Sequence, residues 1–242
     1  MLKEFISVLI ALMVFVPISI AGTLIEDFDD GDNEGWERSP QNKDSKAFWG
    51  VDKKEKAMKF DPKGVGWKEA ISQMNFVGTD QVKNVREWKD YDVEVDIKLT
   101  EAANFPGGPR GRVDLKTGGH YVVWLYPTSG ELKLYKNPGW DINAGLETVG
   151  AGKFKPKVDE YHKVKLSMRG SDIKVYYDGN LEIEAKDKSH KQGTIAVGSQ
   201  DKVVYFDNIK VEGPDIPNTD MSSVEPEGKL TSIWARIKAD NR

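Results

Sequence analysis

The stretch KVVYFDNIKV, residues 202–211, decides the fold of this chain. Val204 and Phe206 alternate with less apolar neighbours, and Ile209 and Val211 continue the alternation after a shift in phase. Alternation with a period of two is typical of a strand with one buried face. A change of phase within such a strand predicts a β-bulge, here in the two residues between Phe206 and Ile209. The stretch therefore predicts a bulged strand near the end of a β domain.

The partner that we expect for this strand lies near the other end of the chain, where the acidic turn EDFDDGDNEGW occupies residues 26–36. Each segment carries aspartate beside an aromatic residue that we expect to be buried, Phe28 in the first and Phe206 in the second. We therefore expect the first and last strands to meet and to close a β-sandwich.

Length and composition indicate one sizeable β domain with a tail. The chain has 242 residues, of which 31% are charged, and it contains 23 glycines, which suit many turns. The net charge of −4 gives no indication of nucleic-acid binding or of an anionic membrane surface. The absence of cysteine excludes disulfides, thiolate metal sites, a cysteine nucleophile and a lipidated N-terminal cysteine.

The sequence pattern in the middle of the chain predicts almost only strands and turns. Tyr91–Leu99 alternates strictly, and Asp178-Gly179 between two alternating runs is a strong hairpin signal. We also predict a strand over 67–72, a glycine- and proline-rich loop over 104–111 and a strand over 112–115. The pattern gives roughly twelve strands at the spacing of a sandwich. No helical element separates them, which argues against a βαβ sheet.

Residues 1–21 have the pattern of a signal peptide, with a positive start, an apolar run and a small-x-small end. The alternative is an uncleaved anchor, because the apolar run is only slightly shorter than the ~17–25 residues that span a bilayer. We predict cleavage, no membrane insertion afterwards, and a secreted, extracellular or periplasmic location.

The amino-acid composition changes after the predicted domain, which comprises residues 22–212. Residues 213–228 contain several prolines and few apolar residues, which predicts a linker. Residues 229–242 carry apolar side chains at helical spacing, which predicts a short amphipathic helix. This helix would either dock on the domain or bind a surface partner.

Several motifs in a fixed order resemble the concanavalin A-like lectin/glucanase superfamily, and in particular its laminin-G-like and 3-keto-disaccharide-hydrolase-like secreted domains. The motifs are DFDDG and GW at 27–36, GHY at 119–121, GEL at 130–132, VYYDG at 175–179, GTIAVG at 193–198 and FDNIKV at 206–211. The resemblance implies an all-β jelly-roll β-sandwich of two curved antiparallel sheets. It also implies carbohydrate binding on the concave face and a structural calcium where the first and last strands meet.

A calcium site is predicted from Asp27 and Asp29 in the acidic turn together with Asp207 in the last strand. Calcium prefers carboxylate and carbonyl oxygens, and a cation would relieve the repulsion among the crowded carboxylates of the turn. The spacing is not that of an EF-hand. The alternative is a solvated acidic turn, with Asp207 accepting backbone hydrogen bonds.

Hydrolytic chemistry has one weak candidate, the pair Glu94 and Asp96. The motif resembles that of laminarinase-type glucanases of the same superfamily, but Lys98 and Leu99 stand where those enzymes have a further glutamate. A charged outward face of a strand is the commoner explanation. The three histidines have no metal-ligand spacing, and we predict that each is a surface or turn residue.

Sugar binding needs flat aromatic faces and a few hydrogen-bonding side chains. Trp124 and Tyr126 share one face of a predicted strand, and Arg112 and Lys133 lie on its predicted neighbours. With Trp140 from a nearby loop, these residues predict a polysaccharide-binding groove. The alternative for any one of these aromatic residues is an ordinary place in the core. Trp140 is the strongest candidate, because it lies in a loop.

Three functions remain open from the sequence. The first is a calcium-stabilised, secreted carbohydrate-binding module for extracellular polysaccharide. The second is a glycoside hydrolase or lyase of the same fold, and the third is a non-catalytic adhesion or structural domain whose C-terminal helix contacts a surface partner. The fold alone does not choose among them, because this superfamily supports all three roles.

Overall fold

A computed structural model describes residues 21–40, 44–102, 107–141, 145–153 and 156–221. The predicted signal peptide lies outside these residues except for its last position, and the predicted C-terminal helix lies outside them entirely. The strands are β1 (Gly22–Glu26), β2 (Trp36–Arg38), β3 (Phe48–Asp52), β4 (Ala57–Asp61), β5 (Ser72–Phe76), β6 (Tyr91–Leu99), β7 (Gly108–Val113), β8 (His120–Tyr126), β9 (Glu131–Asn137), β10 (Glu147–Lys153), β11 (Tyr161–Arg169), β12 (Asp172–Tyr177), β13 (Asn180–Lys186), β14 (Thr194–Ser199), β15 (Val204–Gly213) and β16 (Thr219–Asp220). The described residues also include a short helix, α1 (Trp67–Ala70), and a 3-10 turn (Val85–Glu87).

The strands form two sheets that pack face to face, as predicted for a jelly-roll sandwich. The first sheet has the order β13-β12-β11-β6-β15-β1-β16, and the hairpin β3–β4 joins it through β4 and β15. The second sheet has the order β10-β9-β8-β7-β14-β5-β2. No helix among the described residues is long and apolar enough to cross a bilayer.

The first and last long strands pair, as the sequence predicted. Gly22 of β1 lies opposite Gly213 of β15, and the antiparallel register continues to the end of β1. The predicted bulge in β15 is confirmed, because the register against β6 shifts between Asp207 and Lys210. Asn208 there has a φ of 47°. The bulge restores the burial of the apolar residues on both sides of it.

The core fills the space between the sheets with alternating side chains from nearly every strand. In β6 the odd-numbered residues from Tyr91 to Leu99 are all at most 1% exposed, and the residues between them are partly exposed. Aromatic pairs such as Trp49 with Phe206, whose ring centroids lie 5.9 Å apart, extend this core beneath the hairpin β3–β4. A single continuous apolar cluster therefore stabilises both sheets.

Three local predictions differ from the structure. The segment 67–72 begins as α1, and the strand β5 starts only at its last residue. Strand β7 begins at Gly108, inside the predicted loop 104–111, because backbone segments approach closely there: a Cβ on Gly108 would lie 2.1 Å from the carbonyl oxygen of Val123. Beyond β15, Ile216 is buried and β16 pairs with β1, so the first part of the predicted linker 213–228 packs on the domain.

Candidate functional site

The outer face of the second sheet carries an unusual set of buried polar and aromatic side chains. Along β8, Tyr121, Val123 and Leu125 belong to the core, so the residues that alternate with them face outward. One register row crosses all seven strands on this outer face and contains Thr148, Tyr135, Val122, Arg110, Ala196, Asn75 and Glu37. We call this surface the outer face of the second sheet.

Arg110 occupies the middle of this row and is 1% exposed. Its Nε donates a hydrogen bond to Nε2 of His120 at 3.2 Å. Its guanidinium carbon lies 6.0 Å from the ring centroid of Trp124. The Nη1 atom has no hydrogen-bond partner in the described part of the chain. Burial lowers the pKa of Arg110 to about 9, so the group is still a cation at neutral pH.

The backbone of β14 makes room for this guanidinium. A Cβ on Gly198 would lie 1.5 Å from Nη1 of Arg110 and 2.3 Å from its Cζ. Any side chain at position 198 would therefore displace the arginine. Glycine here serves the close approach of a side chain to the backbone rather than a turn.

His120 is fixed as a neutral acceptor beside Arg110. Its Nδ1 lies 2.7 Å from the carbonyl oxygen of Gly118, which requires a proton on Nδ1 and leaves Nε2 free to accept from Arg110. Burial and the adjacent arginine charge lower the pKa of His120 to about 3. The prediction that all three histidines are surface or turn residues is wrong for His120, which is 1% exposed at the start of β8.

Aromatic side chains cover the end of the outer face near the carboxyl end of β8. Trp124, Val122 and Tyr135 form a small apolar cluster separate from the main core, and Tyr126 packs against it. The hydroxyls of Tyr126 and Tyr135 lie 2.9 Å apart. Lys133, directly opposite Trp124, places its Nζ 5.2 Å from the ring centroid of Tyr126.

Amide side chains supply hydrogen-bonding groups elsewhere on the same face. Gln73 donates to Oδ1 of Asn75 at 2.7 Å, and both are buried. Asn137, opposite His120, is fully buried, and its Nδ2 has no hydrogen-bond partner among the residues that the structure describes. A buried amide with an unused donor, such as that of Asn137, is uncommon in a closed core, and it is a group that a polar ligand could use.

Carboxylates lie only at the margins of this face in the described strands. Glu131 is opposite Tyr126 and forms an ion pair with Lys133 at 3.3 Å. Glu37 belongs to the edge strand β2, three strand spacings from β7 and thus roughly 14 Å from it. The face therefore combines aromatic, amide and cationic groups without a pair of neighbouring carboxylates.

The structure brings together three of the five predicted sugar-binding residues. Trp124, Tyr126 and Lys133 share the outer face of the second sheet. Arg112 is separated from them by a bulge in β7, where the register against β14 shifts and Arg112 has a φ of 49°. The residue that β7 presents beside Trp124 is Arg110 instead.

Arg112 lies at one end of the sandwich and holds loops together. Its guanidinium donates to the carbonyl oxygens of Lys89, Gly170 and His190 and forms an ion pair with Asp90 at 3.2 Å. A cavity of about 430 Å³ adjoins it. The cavity is lined by Arg86, Arg112, Asp114, Ser189, His190, Lys191 and Gln192.

Trp140 lies at the same end of the second sheet as His120. Its ring packs on the backbone of Gly118, where a Cβ would lie 2.3 Å from Cδ2 of the indole. Trp124 is six residues further along the chain than Gly118, so roughly 20 Å of extended strand separates the two tryptophans. Trp140 is half-buried and stands beyond one end of the outer face rather than at its centre.

The predicted calcium ligands lie near one another without forming a ligand set. Burial first, and then the charges of Asp96, Asp27 and Asp29, raise the pKa of Asp207 to about 6. Asp29 forms an ion pair with Lys56 at 3.2 Å. Calcium needs about 6–8 oxygen ligands, whereas no group of three or more acidic, histidine or cysteine side chains in the described ranges is placed to hold a metal ion. Calcium therefore stays a prediction.

The weak hydrolytic candidate lies on the outer face of the other sheet. Lys163 forms ion pairs with Glu94 at 3.3 Å and with Asp96 at 2.8 Å. Asp96 also accepts a hydrogen bond from Nδ2 of Asn208. The alternative of a charged, outward-facing strand is confirmed for this pair.

Solved structures with the same architecture include carbohydrate-binding and glycan-modifying proteins. The carbohydrate-binding module CBM66 from Bacillus subtilis is 18% identical over 74% of this chain and 96% of its own, with a TM-score of 0.57. A Bacillus subtilis protein of unknown function with a galectin-like fold is 10% identical over 76% of this chain and 93% of its own (TM-score 0.54). The Crh5 transglycosylase is also 10% identical, over 79% of this chain and 84% of its own (TM-score 0.54).

The chain has a lectin-like jelly-roll fold. At these identities the likenesses show the fold alone. No protein-family model and no curated protein matches the sequence.

Sequence reasoning missed Arg110, His120 and the amides of β5 because their local signals are weak. Gly107, Gly108 and Pro109 predict a loop, which hid the strand that carries Arg110. The second glycine of GTIAVG, Gly198, could have revealed the site, because it lies inside a strand rather than in a turn. An interior strand glycine often marks a close approach of this kind.

Proposed function

We propose that this chain is a secreted carbohydrate-binding module that holds a polysaccharide on the outer face of the second sheet. The observation that carries the proposal is that this face holds Trp124 and Tyr126 together with two buried donors, Nη1 of Arg110 and Nδ2 of Asn137, that have no partner in the described chain. Aromatic faces bind the apolar face of a pyranose ring, and a few fixed polar groups select its hydroxyls. The lectin-like fold, which the chain shares with a carbohydrate-binding module, supports the proposal.

Binding rather than hydrolysis follows from the distribution of acids. A retaining glycosidase needs two carboxylates about 5–5.5 Å apart, and an inverting enzyme needs them about 6.5–9.5 Å apart. On the described outer face the acids are Glu37 and Glu131, which lie on strands β2 and β9 with four other strands between them. We therefore assign this face a binding role.

Three further parts of the proposal rest on the sequence. The leader pattern of residues 1–21 supports export. The ordered motifs support a relationship to laminin-G-like or 3-keto-disaccharide-hydrolase-like domains within the lectin-like jelly rolls. A structural calcium bound by Asp27, Asp29 and Asp207 stays a prediction with its own test.

The experiment that tests the proposal is binding of the purified full chain to a panel of insoluble and soluble polysaccharides, with release of reducing ends measured in the same samples. We expect retention on at least one polysaccharide without release of sugar. Tyr126→Ala should weaken retention by about tenfold, as expected for loss of an aromatic contact. Its matched control is Tyr176→Ala, because Tyr176 lies on the first sheet under Lys165 in a similar cation–π contact of 4.5 Å.

Two results would contradict the proposal. Absence of retention across the panel would favour an adhesion or structural domain. Equal loss of retention in the Tyr126 and Tyr176 variants would mean that the second sheet does not carry the site.

A further inference from the structure

Arg110 leaves a positive charge on the outer face of the second sheet without a counterion among the residues that the structure describes. Its Nε is used by a neutral histidine, and its Nη1 has no partner in the part of the chain that the structure describes. Two other cations lie on this face in the described strands: Lys133 forms an ion pair with Glu131, and Lys153 lies opposite the same glutamate. Glu37 is three strands from Arg110, too far for a direct ion pair. The internal gaps at 41–43, 103–106, 142–144 and 154–155 contain no aspartate or glutamate.

The surroundings of Arg110 are built to keep this cation in place. The missing Cβ of Gly198 gives the guanidinium its space, and the hydrogen bond of His120 to Gly118 fixes the tautomer that accepts from Nε. A buried charge without a counterion destabilises a fold, whereas a well-packed apolar side chain of similar volume would not. A site that retains such a charge is complementary to a negatively charged group.

We propose that the glycan bound by this face is anionic, and that a carboxylate or sulfate group on its sugar ring pairs with the guanidinium of Arg110. This inference rests on the proposed function and specifies its ligand class. A charge-assisted hydrogen bond to Nη1 satisfies the free donor, and it is stronger than one between neutral groups. Trp124 lies 6.0 Å from the guanidinium, and the partly exposed Tyr126, which packs against the same cluster, provides the apolar surface for the ring.

The first test compares two charged polymers, each with its uncharged counterpart. The purified full chain is titrated with polygalacturonate and with its fully methyl-esterified form, and in parallel with dextran sulfate and with dextran. We expect one charged polymer to bind about tenfold or more tightly than its neutral counterpart. Whether the preferred pair is the first or the second distinguishes a carboxylate from a sulfate ligand.

The second test removes the cation and keeps an unbranched, apolar side chain at position 110. In Arg110→Met we expect the preference for the charged polymer to disappear, while the melting temperature stays equal to that of the wild type or rises. The matched control is Arg169→Met on the first sheet, where Arg169 is exposed and forms an ion pair with Asp92 at 2.9 Å. This control should keep the full preference, which excludes a general effect of net charge.

The outcomes separate the inference from the proposed function. Equal binding of charged and neutral polymers, unchanged in Arg110→Met, would overturn the inference and leave a module for neutral glycans. Binding to none of the four polymers, nor to any of the wider panel, would overturn both. A large fall in the melting temperature of Arg110→Met would show a structural role for the arginine and overturn the inference. If the variant does not fold, the comparison of charged and neutral polymers on the wild type decides.

Discussion

The outer faces of the two sheets have opposite designs. On the first sheet, Lys163 bridges Glu94 and Asp96, and Arg169 pairs with Asp92, all with partly exposed side chains. On the second sheet many of the corresponding side chains are buried and aromatic or amide, and they include Arg110, which has no ion pair in the described part of the chain. One fold thus carries a face dominated by partly exposed ion pairs and a face on which two buried donors, on Arg110 and Asn137, have no partner in the described chain.

The difference is energetic as well as chemical. Exposed ion pairs contribute about 0–1 kcal/mol each, so the first face can change with little consequence. A buried charge or amide without a partner costs on the order of several kcal/mol, so the second face needs a compensating contact. The two buried donors of the second face that have no partner in the described chain, Nη1 of Arg110 and Nδ2 of Asn137, are therefore better evidence for a binding site than the number of aromatic residues.

The largest effect that we expect from a change on the second face comes from Trp124→Ala. Trp124 is 4% exposed and packs with Val122 and Tyr135, so its removal leaves a cavity and should lower the free energy of unfolding by about 3–5 kcal/mol. Polysaccharide binding should also be lost at temperatures where the variant is folded. Urea denaturation and binding measured on the same sample check both effects.

Trp49→Ala is the control for Trp124→Ala. Trp49 packs in the main core against Phe206 and Phe60, so it should cost similar stability and leave binding intact in the folded fraction. If both variants bind equally well, Trp124 is simply a second core residue.

A smaller effect is expected from His120→Gln, and it depends on pH. The pKa of His120 is lowered to about 3 in the folded chain from an ordinary value near 6.5, so the unfolded chain binds the extra proton between these values. The contribution of His120 to the free energy of unfolding is therefore fully present above about pH 6.5 and is lost as the pH decreases toward 3. At pH 4 the loss should be about 3 kcal/mol.

His120→Gln should remove this part of the acid sensitivity, because glutamine keeps an acceptor for Arg110 and does not titrate. The measurement is the free energy of unfolding at pH 7 and at pH 4 for the wild type and the variant. His162→Gln on the first sheet, where His162 contacts Asp178 at 2.9 Å, serves as the control. An unchanged difference between the two pH values in His120→Gln would contradict the assigned burial and tautomer.

The same contrast between the faces explains how much could be predicted from the sequence. The alternation in Tyr91–Leu99 correctly predicted β6, and the Asp178-Gly179 turn correctly predicted the hairpin β12–β13. A strand with one buried face and one solvent-exposed face alternates between apolar and polar residues, so its sequence shows the period of two directly. The bulge in β15 was predictable for the same reason, as a phase shift in an alternating pattern. The two-sheet architecture followed from these elements.

The centre of the second sheet was harder to predict because every residue of β7 and β14 is buried, so these strands show no alternation. The bulge in β7 then moved Arg112 away from Trp124 and placed Arg110 beside it. The strand β7 consists mainly of glycine and arginine, so it has no alternating apolar residues whose phase could shift. Its bulge therefore cannot be recognised from the sequence. The predicted set Trp124, Tyr126 and Lys133 was brought together because all three lie on the regular part of a single hairpin.

A change of about 1 kcal/mol is expected at the acidic cluster where β1 meets β15. The pKa of Asp207 is raised to about 6, so its charged form is disfavoured in the folded chain. This contribution is favourable below about pH 4 and is lost as the pH rises through 6. In chelator at pH 7, Asp207→Asn should therefore be more stable than the wild type by roughly 1 kcal/mol, since partial exposure reduces the full effect of the shift.

The variant Asp207→Asn also tests the predicted calcium site. If Asp27, Asp29 and Asp207 bind calcium, millimolar calcium should raise the melting temperature of the wild type and have no effect on Asp207→Asn. Differential scanning fluorimetry with calcium and with chelator measures both arms. Equal melting temperatures of the wild type with and without calcium would contradict the calcium prediction. The acidic cluster would then only destabilise the fold, in a pH-dependent way.

The smallest effect should come from Lys163→Met on the first sheet. The substitution breaks two ion pairs, with Glu94 and with Asp96, but Lys163 is 44% exposed and water solvates the carboxylates that it leaves. The free energy of unfolding should therefore change by less than about 1 kcal/mol, and less still at high salt. Binding to polysaccharide should not change, in contrast to Arg110→Met. A loss of binding in Lys163→Met would reverse the assignment of the two faces, because it would place the ligand among the carboxylates of β6.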